Sequence, residues 1–152
     1  MILATLLFAA APLGATLEPL QFLVGHCWRT TLKEGPTDTH CFSADGERIR
    51  DRHAVRKDSA VVYTGESVFS VVSGVMRYTY DGSTNAHLEG PMHVAGGKII
   101  YDDVDKTGTE TFWRQIDAAQ WEEVTIAGPD APKELAQFNE RKLYQLVGDQ
   151  AP

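Results

Sequence analysis

The chain reads as an all-β protein: an antiparallel up-and-down β-barrel of about 8–10 strands with a short N-terminal helix closing one end. After residue 25, short runs of β-branched and aromatic residues alternate with turn signals. Among these are Asp45-Gly46, Lys57-Asp58-Ser59, Ser73-Gly74, Asp81-Gly82-Ser83, Gly96-Gly97, Asp105-Lys106-Thr107-Gly108 and Gly128-Pro129-Asp130. Such punctuation at roughly ten-residue spacing is the mark of an antiparallel sandwich or barrel. The helical period is nearly absent over the same region, and no repeat or linker divides it. A chain of 152 residues is long enough for one domain with a real core.

Residues 1–15, MILATLLFAAAPLGA, carry no charge and are mostly Ala, Leu and other small apolar types. They read as a secretory signal peptide, with Ile2 to Ala11 as the apolar segment and Ala15 as the last residue removed. The alternative is an apolar helix packed on the domain. Residues 16–152 are then the single barrel domain, in the periplasm or secreted. Thr16 to Val24 is the one helical piece, with an N-cap Thr, an early Pro19 and a stop at Gly25. Strands are expected near 26–32, 37–44, 47–56, 60–72, 75–81, 86–95, 98–103, 109–116, 120–126 and 134–147. No apolar run reaches the roughly 18–20 residues of a membrane helix. The net charge of -7, with 14 dispersed basic residues, argues against nucleic acid, whose binding rests on clustered Lys and Arg facing phosphates. The chain is expected as a monomer or homodimer.

The two cysteines locate the first hairpin. A three-residue loop at Lys33-Glu34-Gly35 pairs Leu32 with Pro36, Thr30 with Asp38, Trp28 with His40 and Cys27 with Cys41. Opposed Cβ atoms lie about 4.5–5.5 Å apart, close to what a disulfide needs. In an exported chain a Cys27–Cys41 disulfide is the leading reading. Two free buried thiols and half of a metal site are the alternatives, although His40 falls on the opposite face from the thiols. The next hairpin, read as a two-residue Asp45-Gly46 turn, pairs Phe42 with Ile49, His40 with Asp51 and Asp38 with His53.

Side chains alternate along a strand, so these six share one face while Arg48, Arg50, Arg52 and Arg56 share the other. Four arginines belong in water, which turns Trp28, Thr30, Asp38, His40, Asp51 and His53 inward. Ionised groups inside a barrel are costly unless paired. Three readings follow. The His–Asp pairs hold register and nothing else, or they form the polar end of a ligand pocket. The third is a zinc or iron site from His40, His53 and a carboxylate, which no tight ligand spacing supports. Met76, Tyr78 and Tyr80 alternate on a later strand, as do Met92 with Val94 and Ile99 with Tyr101. They read as core, or as pocket lining if the barrel is hollow. His87 and His93 read as surface residues, and Gly90-Pro91 as an edge, bulge or break. No Gly-x-Ser-x-Gly is present, and Gly96-Gly97 precedes no helix that could bind phosphate. An Asp–His general base drawn from His40, Asp51 and His53 remains as the catalytic alternative, a hydrolase or isomerase.

A short helix ending in Phe22-Leu23-Val24-Gly25, then Trp28, then an antiparallel barrel resembles the calycins: lipocalins, fatty-acid-binding proteins and nitrobindin-like domains. Cys27-Trp28-Arg29, Asp38-Thr39-His40-Cys41-Phe42, Arg50-Asp51-Arg52-His53 and Tyr63-Thr64-Gly65-Glu66 look most like an uncharacterised group of exported bacterial calycin-like proteins. The likeness spans about residues 20–147. Calycins open with Gly-x-Trp, and here the spacing is Gly-x-x-Trp. The resemblance implies that Trp28 plugs the barrel floor under a basic residue of the last strand, for which Arg141 is the candidate. It also implies a small hydrophobic or amphipathic guest inside the barrel, with Trp28, Asp38, His40, Asp51, His53, Tyr63, Tyr78 and Tyr80 around it. The nitrobindin-like branch binds haem through a late histidine, and no histidine follows His93, so no cofactor is expected. A filled barrel serving as a structural or partner-binding protein is the remaining non-enzyme reading.

Overall fold

The computed structural model describes residues 15–102, 108–128, 131, 133–135, 137 and 139–149. The signal-peptide reading of the N-terminus lies almost wholly outside them, as do most of the turn at 105–108 and part of that at 128–130. Ten strands among the described residues close into one antiparallel barrel, each paired with its sequence neighbours. They are β1 (His26–Thr31), β2 (Thr37–Asp45), β3 (Arg48–Lys57), β4 (Ala60–Val72), β5 (Val75–Gly82), β6 (His87–Ala95), β7 (Lys98–Tyr101), β8 (Thr109–Asp117), β9 (Gln120–Ala127) and β10 (Asn139–Asp149). β10 returns to pair with β1, which leaves no open edge. The last strand begins later than the sequence suggests, because Lys133–Leu135 form a 3-10 turn. No described helix is long and apolar enough to cross a membrane.

Turn chemistry explains most of the hairpins. Asp58-Ser59, Ser73-Gly74 and Gly96-Gly97 all take positive φ at both central positions, which matches the twist of the strands they join. The β2–β3 turn differs from expectation. Only Gly46 has positive φ there, so the two-residue turn is Gly46-Glu47 and Asp45 pairs with Arg48. The register is therefore shifted by two: His40 opposes His53, Phe42 opposes Asp51, and Asp38 opposes Val55. A shift of two keeps every side chain on its expected face, whereas a shift of one would have inverted the wall. The first hairpin has the expected register, and Cys27 and Cys41 are opposed and bonded as a disulfide. Pro91 sits in an unbroken β6, just past the point where pairing with the short β7 ends.

The N-terminal helix is a 3-10 helix, Ala15–Leu23. With three residues per turn, positions 17, 20 and 23 fall on one line, and all three are leucines with no exposed surface. That stripe caps one end of the barrel over Phe42, Ile49 and Phe69, which are equally buried. Trp28 packs under the same helix, edge-on to Phe22 and His26. Arg48, Arg52, Arg56, Arg114 and Arg141 lie on the outer face, where charge at the middle of a bilayer would cost about 2–4 kcal/mol each. This outer wall belongs in water.

Replacing Cys41 with Ser is expected to cost about 2–4 kcal/mol, read as a lowered urea midpoint under oxidising conditions. An unchanged midpoint would show that the bridge contributes nothing to stability.

Candidate functional site

The interior grades from apolar to polar along the barrel axis. Above Phe42, Ile49 and Phe69 comes an aromatic layer in which Trp121 stacks on Tyr144 at 4.2 Å and Trp113 lies 4.7 Å from Trp121. Asp51 sits at this level with no exposed surface. Next come His40 and His53, directly opposed on β2 and β3, with their rings stacked at 4.4 Å. Beyond them a cavity of about 310 Å³ is lined by Asp38, His40, His53, Ser67, Tyr78, Tyr80, Leu88, Tyr101, Thr111, Trp113, Glu123, Thr125, Lys142 and Tyr144. Asp38, His53 and Lys142 also border the mouth of the barrel, together with Thr30, Val55 and Tyr63.

One hydrogen-bonded chain crosses this wall. His40 bonds Asp51 Oδ2 through Nδ1 at 2.8 Å and Asp38 Oδ2 through Nε2 at 3.2 Å. His53 Nδ1 lies 2.9 Å from Asp38 Oδ1, and its Nε2 lies 3.1 Å from the Tyr80 hydroxyl. Tyr144 donates its hydroxyl to Asp38 Oδ2 at 3.1 Å, and Tyr63 and Tyr80 share a 2.5 Å bond. A carboxylate only accepts, so His40 donates from both nitrogens and is an imidazolium. His53 donates from Nδ1 to Asp38, and its Nε2 meets the Tyr80 hydroxyl.

Electrostatics follow from these contacts. Burial opposes a charge on His40, but the Asp51 carboxylate and the bonds to Asp38 and Asp51 outweigh it and push the imidazole up to about 10. Burial likewise opposes ionisation of Asp38, yet the hydrogen bonds from His40 and His53 hold its carboxyl far below the usual range. Burial raises the Tyr144 and Tyr80 hydroxyls, helped by Glu123 and Asp38 for the former and by the bond to Tyr63 for the latter. These phenols stay protonated and donate. Across the cavity Lys142 pairs with Glu123 Oε1 at 2.7 Å, and Trp113 donates to the other Glu123 oxygen at 3.0 Å.

Space for the chain comes from two glycines. Gly65 and Gly82 oppose each other on β4 and β5. A Cβ on Gly65 would overlap His53 Nε2 and the Tyr80 hydroxyl and stand 2.7 Å from the Tyr80 ring; one on Gly82 would overlap the Tyr63 hydroxyl.

Of the residues expected around a guest, Asp38, His40, His53, Tyr78 and Tyr80 line the cavity and Tyr63 lines the mouth. Asp51 lies below and holds His40. The two His–Asp contacts anticipated as directly opposed pairs do form, but as diagonal neighbours, because of the two-residue shift. Trp28 stands outside the cavity under the helix. Arg141 does not meet Trp28: it lies on the outer face of β10 and pairs with Glu122, which Arg114 also covers. The inward basic residue of that strand is its neighbour Lys142. Trp113, Trp121, Glu123, Lys142 and Tyr144 were not singled out from the sequence. The alternation Trp121-x-Glu123-x-Thr125 and the pair Lys142-x-Tyr144 carried the signal, but the charged members pointed to the opposite phase. His40, His53 and Asp38 each present a ligand-capable atom, all within 4.8 Å of one another.

No family model matches the chain, and no curated protein matches it. What the fold and the site define is a closed ten-stranded antiparallel barrel whose interior holds a hydrogen-bonded polar wall beside a small cavity.

Two outcomes are expected. His40 has a folded pKa above its unfolded value of 6.5, so its contribution is complete below pH 6.5 and is lost as pH rises towards about 10. Chemical denaturation of chelator-treated protein between these limits should show stability falling by up to about 1.4 kcal/mol per pH unit, and a His40→Gln variant should lack that slope. Gly65→Ala should break the His53–Tyr80 bond and lower the melting temperature, at a cost of about 1–3 kcal/mol. Wild-type melting would show that the wall yields freely.

Proposed function

We propose that the chain is an exported binding protein for a small amphipathic molecule held inside the barrel. The observation that carries this is the cavity, with aromatic and apolar groups on one side (Tyr78, Tyr101, Trp113, Leu88) and the Asp38–His40–His53 wall on the other. Pockets that orient a guest combine a mostly apolar lining with a few fixed polar groups. A volume of about 310 Å³ is at the small end of ligand pockets, which favours a compact, ring-sized guest over a long acyl chain. Lys142, which lines the cavity and gives one ammonium hydrogen to Glu123, has further hydrogens for an acceptor oxygen on that guest. The calycin resemblance supports the same reading, since a barrel with one capped end and one open end is what that group uses for internal ligands. Export is supported by the leader-like residues 1–15 and by the Cys27–Cys41 disulfide, with residues 16–152 as the mature domain.

A second reading rests on the relay Tyr63–Tyr80–His53–Asp38. His40, held as an imidazolium between two carboxylates, is no base. His53 touches a single carboxylate, so a proton-transfer enzyme would use His53 with Asp38 as its orienting group and exchange the proton through Nε2.

Native mass spectrometry of protein recovered from its own exporting cell, followed by denaturing mass spectrometry, separates the readings. A binding protein is expected to show an excess mass that disappears on denaturation, and Leu88→Trp, which fills the cavity, should lose it. A native mass equal to that of the bare chain in both proteins would sink the carrier reading.

A further inference from the structure

We infer that Asp38, His40 and His53 form a binding site for one divalent first-row transition-metal ion, with open coordination positions facing the cavity. Zinc and iron bind nitrogen and oxygen ligands at about 2.0–2.2 Å, so ligand atoms in a tetrahedral site stand about 3.4 Å apart. Asp38 Oδ2 is 3.2 Å from His40 Nε2, and Asp38 Oδ1 is 2.9 Å from His53 Nδ1. An ion there would take the place of the Nε2 hydrogen of His40 and of the Nδ1 hydrogen of His53, the latter moving to Nε2 to be donated to the Tyr80 hydroxyl, as the side chains draw their ligand atoms together. Two imidazoles and one carboxylate suit zinc or iron rather than magnesium or calcium.

The surroundings are built for ligation. Metal-bound histidines as a rule donate their second ring N–H to a carboxylate or another oxygen, which fixes tautomer and orientation. His40 meets the buried Asp51 carboxylate at 2.8 Å through Nδ1, and His53 meets the Tyr80 hydroxyl at 3.1 Å through Nε2. Tyr144 steadies the carboxylate ligand itself. Charge points the same way. Asp38 and Asp51 are both buried, and among the described residues no lysine or arginine bonds either one. Asp51 Oδ1 is buried without any hydrogen-bond partner. The two carboxylates share the single positive charge of His40, whereas a divalent cation that displaces the His40 Nε2 proton supplies two. Three protein ligands beside a cavity leave at least one position for water or a guest, the arrangement of catalytic rather than structural metal sites.

Metal retention by the chain alone tests this separately from guest binding. The purified protein is stripped with chelator, dialysed against Zn²⁺, and its bound zinc measured. Wild type is expected to retain one ion per chain. His53→Ala and Asp38→Ala should lose it, while a double His87→Ala/His93→Ala variant, which removes the exposed histidines, should keep it. Tyr80→Phe leaves all three ligands in place and should weaken binding about 10–100-fold through the lost outer bond, a readout that survives if the other variants fail to fold. Absence of stoichiometric zinc in wild type, or wild-type affinity in Tyr80→Phe together with zinc lost only when His87 and His93 are removed, would overturn the site.

Discussion

Asp38 keeps a charge inside the barrel at 5 % exposure because His40, His53 and Tyr144 all reach its two oxygens. Those partners come from β2, β3 and β10, so one carboxylate ties the strands beside the closure of the barrel to one another. Sheet closure itself is short: β1 and β10 share four residue pairs, interrupted by a shift between Cys27 and Trp28. A buried ion pair is not by itself a strong stabiliser, since desolvation consumes much of its attraction. What it does impose is specificity. Removing His40 would take the charge partner from two buried carboxylates at once, so the wall favours the one register that places it between them.

The rest of the interior is arranged around that requirement. Leucines at every third position suit a 3-10 helix, and the resulting stripe seals one end and keeps water from Asp51. Facing aromatic groups lower the local dielectric, which strengthens the His–Asp contacts and raises the phenols that donate to them. Opposed glycines on β4 and β5 let Tyr63, Tyr80 and His53 approach within bonding distance. On the opposite wall the Lys142–Glu123 pair neutralises itself, so the charge beside the cavity is concentrated on the His–Asp side. A compact polar guest and a metal ion would both exploit this asymmetry, the first by aligning its polar end with the charged wall, the second by taking the place of protons.

The errors of sequence reading have physical causes. At β2–β3, Asp45-Gly46 is the stronger turn signal, but only Gly46 adopts positive φ, and the hairpin closes one residue later. Strand alternation has period two, so this error left the inward set of residues intact and changed only which of them face each other. At β9 and β10 the difficulty was different. Glu122-Glu123 and Arg141-Lys142 are neighbouring like-charged residues, and alternation sends one of each pair in and the other out. Nothing local says which. The answer depends on Trp121 and Tyr144, which must stack inside, and that contact joins different strands.

Sequence alone determined the strand-rich architecture, the helical cap, the opposed cysteines and the inward direction of Asp38, His40, Asp51 and His53. These properties depend on local alternation, turn residues and the cost of burying arginine, all of which are written in neighbouring positions. Tertiary structure alone decided that His40 stands between two carboxylates, that Tyr80 and Tyr144 complete the wall, and that Lys142 rather than Arg141 enters the barrel. Those arrangements depend on the pairing offset between strands and on closure of β10 against β1. Both are settled by contacts between residues distant in sequence, such as Tyr144 with Asp38, 106 positions apart, which no local pattern encodes.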